Sequence, residues 1–441
     1  MPKTSTTNNS DTDPLMSRLA AFEVLSDVLR RGRALDDALA ASRAYGALDP
    51  AGKGFAAYLV RTALRRLGQI DALIQHCVRD PLPRKAKPVY DVLRVGVAQL
   101  MFSATADHAA VTTTVDLCRT VNQIPFAKLV NAVMRRLQRE GTGLLKSQDE
   151  ALINTPLWLM ESWINAYGAD TAAAIARQHL ETPPLDLSVK SDTDMWADKL
   201  GGNKLFEFTV RLAEATDVTQ LDGFEEGAWW VQDAAARLAV GLLGDVKGKR
   251  ALDLCAAPGG KTLDLCAAGA DVTAVDISEK RLQRVSENLN RTGLNARTVC
   301  ADVKTFTPDT PAEIVVLDAP CSSTGTLRRH PDVAHLKSPE DIEKLSGVQG
   351  ALLDAAANMT APGGTLLYVT CSLQPEEGEG AVEKFLARTA AFKRDPVTAK
   401  DVSGFTDAVS PAGDFRTLPS HMSDTGGMDG FYAARLVRAP V

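Results

Sequence analysis

Residues 250–262, RALDLCAAPGGKT, constrain this chain more than any other stretch. An apolar run (Ala251, Leu252, Leu254) ends at Cys255, small residues and a glycine pair follow, and Lys261 and Thr262 open a helical pattern. The order strand, tight turn, helix predicts a βα unit. Its glycines let backbone approach a ligand closely, and its helix N-terminus offers free N–H groups to a carboxylate or phosphate. In isolation an ordinary βα turn reads the same way, so the surrounding chain has to decide.

Downstream, strand and helix signals alternate. Strands are expected at 250–255, 271–276, 296–300, 313–318 and 364–370, and helices at 260–268, 278–292 and 339–360. Such a series predicts an α/β, Rossmann-like domain with a parallel sheet and helices on both faces. Asp276 ends the second strand about 20 residues past the glycines, where a carboxylate can accept both hydroxyls of a ribose. Asp302 follows the third strand, within reach of an adenine amine. Either aspartate alone also reads as a helix cap; the glycine turn with both at successive strand ends points to a nucleoside. A dinucleotide enzyme would carry G-x-G-x-x-G. This chain has A-A-P-G-G-K, which fits a smaller nucleoside ligand with an amino-acid tail.

Two cysteines also sit at strand ends. Cys321 follows Asp318-Ala319-Pro320, and Cys371 follows Thr370. In a doubly wound sheet both thiols face the cleft of the glycine turn. Cys255, Cys266 and Cys300 read more simply as small apolar residues. Two thiols and a carboxylate suit methylation of a pyrimidine at carbon 5. A thiolate adding to carbon 6 makes carbon 5 nucleophilic toward a methylsulfonium. An acid or carboxylate such as Asp318 stabilises the developing charge, and a second group takes the carbon-5 proton.

The front third reads differently. Helical spacing recurs from residue 15 to 140, DVLRVGVAQLMF at 91–102 is almost wholly apolar, and Pro83, Pro88 and Pro125 punctuate the pattern. An all-α bundle of six or seven helices is expected. Residues 1–150 carry 21 Lys+Arg against 15 Asp+Glu, in a chain whose net charge is −6. Arg61, Arg65 and Arg66 form one basic group and Arg135, Arg136 and Arg139 another. Phosphate contacts need such faces, and solvated surface looks the same. No aromatic is interleaved to stack a base, so contact would be with backbone or duplex shape.

Length predicts two or three domains for 441 residues. The expected division is a disordered tail at 1–14, a helical domain at 15–140, a connector with a small α/β lobe at 141–235 and a catalytic domain at 236–441. Within the connector, GTGLLKSQDE reads as a polar linker, and strands are expected at 185–190 and 204–210. The polar N-terminus is not a secretory signal, and no apolar run is long enough to span a membrane. Seven dispersed cysteines argue for a reducing cytoplasm. Without Cys-x-x-Cys pairs or a histidine cluster, no metal is expected.

The helix LRVGVAQLMF, the segment DHAAVTTTVDLC and KLVNAVMRRL make the front third similar to NusB-like RNA-binding domains. DLCAAPGGKT, VTAVD, LDAPCSSTGTLRRHPD, TCSLQPEEGE and GGMDGFYAARL resemble the RNA cytosine-C5 methyltransferases. Together they resemble the bacterial Sun/RsmB branch, which methylates 16S ribosomal RNA. The resemblance implies that Cys255, Ala256, Ala257, Pro258, Gly259, Gly260, Lys261, Asp276, Asp302 and Asp318 hold S-adenosylmethionine. It implies that Cys371 attacks and Cys321 assists product release; spacing alone does not say which thiol attacks. Arg328 and Arg329, in the PCS motif, join the candidate RNA contacts. Three positions depart from the family: Ser323 for a usual glycine, His335 for tryptophan and Ser188 for arginine. The last two bear on RNA contact. A monomer acting on ribosomal RNA is expected. The same chemistry on transfer or large-subunit RNA, or a non-catalytic RNA-binding factor, remains open.

Overall fold

The computed structural model describes residues 14–80, 82–213 and 217–440; the expected tail up to residue 13 lies outside them, and Pro14 already opens the first helix. The chain forms two compact units: residues 1–157 with 330–336, and residues 158–329 with 337–441.

The first unit is helical: α1 Pro14–Arg31, α2 Leu35–Ala41, α3 Arg43–Gly46, α4 Pro50–Arg65, α5 Leu67–Cys77, α6 Lys87–Phe102, α7 Asp107–Thr120, α8 Ala127–Lys146 and α9 Glu150–Asn154. Local chemistry sets several of these ends. The Asp49 side chain accepts from the Gly52 N–H and Pro50 takes the first helical position of α4. Helix α6 is central: Val89, Val92, Leu93, Val95, Val97 and Ala98 bury all round it. A Cβ at Gly96 would come within 2.5 Å of Thr114, so glycine permits the close crossing of α6 and α7. The polar linker expected from residue 141 is corrected: α8 runs to Lys146, because Gly141 is buried against Met101 and keeps the helix packed.

The second unit begins with α10 Leu157–Tyr167 and α11 Ala169–His179, followed by β1 Leu185–Val189, α12 Thr193–Leu200, β2 Asn203–Lys204, β3 Thr209–Leu212 and β4 Trp229–Val231. These four strands pair antiparallel in the order β2-β3-β1-β4. The single strand expected at 204–210 is two, with a bend between them. Then come α13 Ala234–Gly241, β5 Arg250–Leu254, α14 Gly260–Ala267, β6 Asp271–Asp276, α15 Glu279–Thr292, β7 Arg297–Cys300 and β8 Ala312–Asp318. The expected boundary at 235/236 falls inside α13. Helix α16, Val333–Leu336, belongs to the helical unit. The chain closes with α17 Pro339–Met359, β9 Thr360–Thr370, α18 Glu379–Arg388, β10 Phe392–Arg394, β11 Phe415–Arg416 and β12 Tyr432–Arg438.

The large sheet has the order β10-β12-β9-β8-β5-β6-β7, with β11 on β12. Strands β9, β8, β5, β6 and β7 are parallel, as expected, but β12 runs antiparallel to β9, β10 and β11, so the sheet is mixed. Both faces of its central strands are buried. Ala251, Ile314, Val316, Leu367 and Val369 join one core, while Leu252, Leu254, Val315, Leu317, Leu366 and Tyr368 join the other. This alternation explains why the strands read as continuous apolar runs. From β5 the order proceeds outward through β6 and β7, then crosses back to β8. Such a switch point opens a crevice at the carboxyl ends of β5 and β8, where ligands bind in this class of sheet.

Candidate active site

At that crevice, Cys255 leaves β5 with a left-handed φ of 62° and Gly259 turns into α14 with a φ of 109°. A side chain at Gly259 would be strained and would press on Val285 at 3.2 Å. Asp276, at the end of β6, is buried. Its Oδ2 accepts the Ala257 N–H at 3.2 Å and its Oδ1 the Ser278 N–H at 3.0 Å. It therefore ties the glycine turn to β6 and also serves the start of α15, where the Ser278 hydroxyl caps the helix. Asp302 follows β7, remains partly exposed and accepts the Lys304 N–H. A cavity of about 380 Å³ is lined by Ala256, Pro258, Gly260, Lys261 and Asp318 together with Trp230, Gln232 and Asn288.

Buried carboxylates stand behind this wall. Burial pushes Asp253 up to about 7 although Thr262 donates to it at 2.6 Å, and pushes Asp264 up to about 6. Gln232 links the layers: its amide donates to Asp264 at 2.6 Å, while its oxygen accepts from Ser188 and Trp230. Trp230, Gln232 and Asn288 were not picked out from the sequence. The only signal was the WWVQD run leading into α13.

The thiol side assembles from the loops after β8 and β9. Cys321 Sγ and Cys371 Sγ lie 3.4 Å apart, and the Ser323 hydroxyl lies 3.5 Å from Cys371 Sγ. Lys261 reaches across from α14 to place Nζ 2.6 Å from Asp318 Oδ2, its charge favoured by Asp318 over the opposing cost of burial. The two thiols are driven apart in acidity. The hydrogen bond from Cys321 lowers Cys371, helped by Ser323 and Lys261 against burial and Asp318. The same bond, with burial, raises Cys321 well above an ordinary thiol. The pair is set for one thiolate and one thiol. Cys255, by contrast, is pushed up to about 12 by burial and has no such partner thiol.

The switch point thus brings together the 255–261 turn, Asp276, Asp318, Cys321 and Cys371. Arg328 and Arg329 are a correction. Arg328 is fully buried and Arg329 largely so, and both guanidiniums pair with Asp233 and Asp429. Burial alone would raise Asp233, but Arg329 and Arg328 outweigh it and hold the carboxyl below the usual range. Arg328 has no exposed surface to offer a phosphate, and the Arg329 guanidinium is engaged by the same two carboxylates. The departures at 188 and 335 are internal too. Ser188 is buried against Gln232, and the His335 ring bonds the Leu64 carbonyl within the helical unit.

In that unit, Arg135 and Arg139 are exposed on α8 and Arg61 and Arg65 are part-exposed on α4. Arg136 pairs with Glu140. Arg66 is spent on Glu150 and Gln69 and lies over the Phe102 ring, which makes it a second correction. Among the described residues no helix is long and apolar enough to cross a membrane.

The chain matches the family model for the 16S rRNA methyltransferase RsmB/F over residues 240–437 and that for the NusB family over residues 16–139. It is 36% identical over 436 residues to "Ribosomal RNA small subunit methyltransferase B" of Shewanella oneidensis, covering 96% of this chain and 99% of that one. The protein of the same name in Pseudomonas putida is 35% identical, with 96% and 98% covered. Among solved structures, that of PH0851 superposes with a TM-score of 0.73 at 22% identity, covering 96% of this chain and 98% of its own. The structure of NSun6 from Pyrococcus horikoshii with SFG gives 0.56 at 19% identity, covering 65% and 99%. These two likenesses concern the fold.

Proposed function

The chain belongs to the RsmB/F family of 16S rRNA methyltransferases, S-adenosylmethionine-dependent enzymes that methylate RNA cytosine at carbon 5, and we propose that Cys371 carries this reaction as the attacking thiol. The observation that supports this most is the pair of thiols at 3.4 Å, one lowered and one raised in pKa, at the switch point of the sheet.

The residues present fit a nucleoside with an amino-acid tail. The left-handed turn at Gly259 disfavours any side chain, α14 presents free N–H groups, and Asp276 and Asp302 end adjacent strands. Residues 255–261, Asp276, Asp302 and Asp318 would hold S-adenosylmethionine. When bound, it supplies an electrophilic methyl group. The target cytosine must leave its stack to reach the thiols. Cys371 Sγ adds as thiolate to carbon 6, forming a C–S bond and moving the carbon 5–carbon 6 electron pair onto carbon 5. Asp318, held by Lys261, accepts a hydrogen bond from the exocyclic amine of the base, and as charge develops N3 takes the proton that Cys321 gives up. After methylation Cys321, by then the thiolate, takes the carbon-5 proton, and N3 returns its proton to solvent. The electrons of that C–H bond restore the carbon 5–carbon 6 double bond, and the C–S bond breaks back to Cys371.

On this reading Arg135 and Arg139, exposed on α8, and Arg61 and Arg65, part-exposed on α4, meet RNA phosphates, and the chain acts as a monomer in the cytoplasm. The test offers purified protein and S-adenosylmethionine naked 16S RNA, assembled small subunits and transfer RNA, then locates 5-methylcytosine by bisulfite sequencing. Methylation of 16S RNA at a defined cytosine is expected. Methylation of transfer RNA alone overturns the substrate, and no methylation of any RNA, with cofactor bound, overturns the catalytic reading.

A further inference from the structure

Behind the thiol pair lies a carboxylate that the mechanism above does not use. Glu377 follows β9 in the loop Gln374-Pro375-Glu376-Glu377 and is fully buried. Burying a charge is costly unless hydrogen bonds replace its water, and Glu377 is well supplied. Oε1 accepts the Ser322 N–H at 2.9 Å and the Gln349 amide at 3.0 Å. Oε2 accepts the Ser322 and Ser372 hydroxyls, each at 2.5 Å, the short distance of an O–H donating to a charged oxygen.

The identity of these donors is what matters. Ser322 is the neighbour of Cys321 and Ser372 the neighbour of Cys371, so one carboxylate grips both thiol-bearing loops. Gln349, from α17, also donates to the Pro320 carbonyl on the other side of Cys321. The loops also meet directly: the Ser372 hydroxyl lies 3.1 Å from that of Ser322 and 3.3 Å from that of Thr324, the Gly325 N–H donates to the Cys371 carbonyl and the Leu373 N–H to the Thr324 hydroxyl.

We propose that Glu377 is the positioning residue of this active site: by receiving hydrogen bonds from both loops at once, its carboxylate holds Cys321 and Cys371 at reacting distance. This rests on the reading of Cys371 as attacking thiol and Cys321 as its partner. The charge has a second consequence. It opposes ionisation of Cys321 and so helps leave the thiolate on Cys371. The other charged and titratable neighbours do not supply this. Arg416 is spent on Glu379 and the Ser372 carbonyl, and the Tyr368 hydroxyl donates to the Glu377 backbone carbonyl. Lys261 and Asp318 act on Cys371 from the opposite side.

The test uses the full-length protein and iodoacetamide, with alkylated cysteines identified by mass spectrometry across pH, alongside methyl transfer. Of the two site thiols, Cys371 should be alkylated first in the wild type. Glu377→Gln keeps the shape and removes the charge. Cys321 should then gain reactivity at the expense of Cys371, and kcat should fall about tenfold or more with KM for RNA within about threefold, since misplacing a reacting group costs rate more than binding. Glu377→Asp, which keeps the charge, should restore the preference for Cys371. An unchanged thiol partition in Glu377→Gln overturns the proposal, even if kcat falls, because a merely structural role would leave it unchanged. If Glu377→Gln does not fold, Ser322→Ala and Ser372→Ala each cut one tether, and wild-type kcat in both overturns the proposal. The alkylation needs no RNA, so it reads Glu377 independently. Failure of the underlying mechanism shows separately, as an active Cys371→Ala enzyme.

Discussion

Cys321 is assigned two duties, donor to the attacking thiolate and acceptor of the carbon-5 proton, and two substitutions separate them. Cys321→Ala removes the S–H that lies 3.4 Å from Cys371 Sγ and is the first cause of its lowered pKa. A hydrogen bond to a charged group contributes about 1.5–3 kcal/mol. Sulfur is a weak donor, which places the loss near the lower figure, and 1.36 kcal/mol corresponds to one pKa unit. The Cys371 pKa should therefore rise, and at any pH below it the thiolate fraction should fall about tenfold. The sign follows from the active form. The thiolate reacts, so a higher pKa moves the acid limb of the rate profile to higher pH. The assay is the pH dependence of Cys371 alkylation, with adduct formation on RNA followed on a denaturing gel. Cys321→Ala should show the shifted limb and also accumulate a covalent protein–RNA adduct, because nothing takes the carbon-5 proton. Cys321→Ser returns an O–H donor but no group that accepts a proton at neutral pH. Its limb should lie near that of the wild type while the adduct still accumulates. An alanine variant with an unshifted limb would refute the electrostatic half of this reasoning.

Three further outcomes are expected. Asp276→Asn, which keeps an acceptor for the turn but loses the charge, should weaken S-adenosylmethionine binding about tenfold or more by calorimetry; unchanged affinity would remove Asp276 from the cofactor site. Replacing Arg135 and Arg139 together by alanine should lower the salt slope of RNA binding by about two, one per lost phosphate contact; an unchanged slope would make the α8 face ordinary surface. Arg328→Ala removes one of the two guanidiniums that Asp233 and Asp429 share, leaving them Arg329, and should cost up to about 3 kcal/mol of stability in denaturant unfolding while leaving the salt slope alone. A stable variant with a reduced slope would return Arg328 to the RNA surface.

The parallel strands were legible because both their faces are buried and the sequence carries unbroken apolar runs there. The glycine turn was legible because few residues tolerate its backbone. β12 was not. YAARLVR makes sense as a strand only once it pairs with Thr365–Thr370 of β9, a partner more than sixty residues away, which local pattern does not encode. The end of α8 was misjudged because GTG looks like a breaker; the packing of Gly141 on Met101 offsets the roughly 1 kcal/mol that glycine costs a helix. Within the site, motif residues and both thiols were found by type and position. The wall formed by Trp230, Gln232 and Asn288 was missed because it comes from other elements and carries no reactive group. Arg328 and Arg329 looked like phosphate ligands because arginine type is visible in a sequence, whereas their acidic partners lie 95 to 101 residues away. Glu377 lies in TCSLQPEEGE, where the resemblance gives it no role of its own, and only the paired donors reveal its grip.

The central claim is that Cys371, and not Cys321, forms the bond to carbon 6 of a 16S cytosine. The direct measurement incubates the enzyme and S-adenosylmethionine with 16S RNA containing 5-fluorocytosine, whose fluorine cannot leave as a proton would, so the adduct is trapped. Digestion and mass spectrometry then identify the modified peptide. The account predicts the nucleotide on Cys371. A nucleotide on Cys321, or turnover of unsubstituted RNA with no trapped adduct, would contradict it.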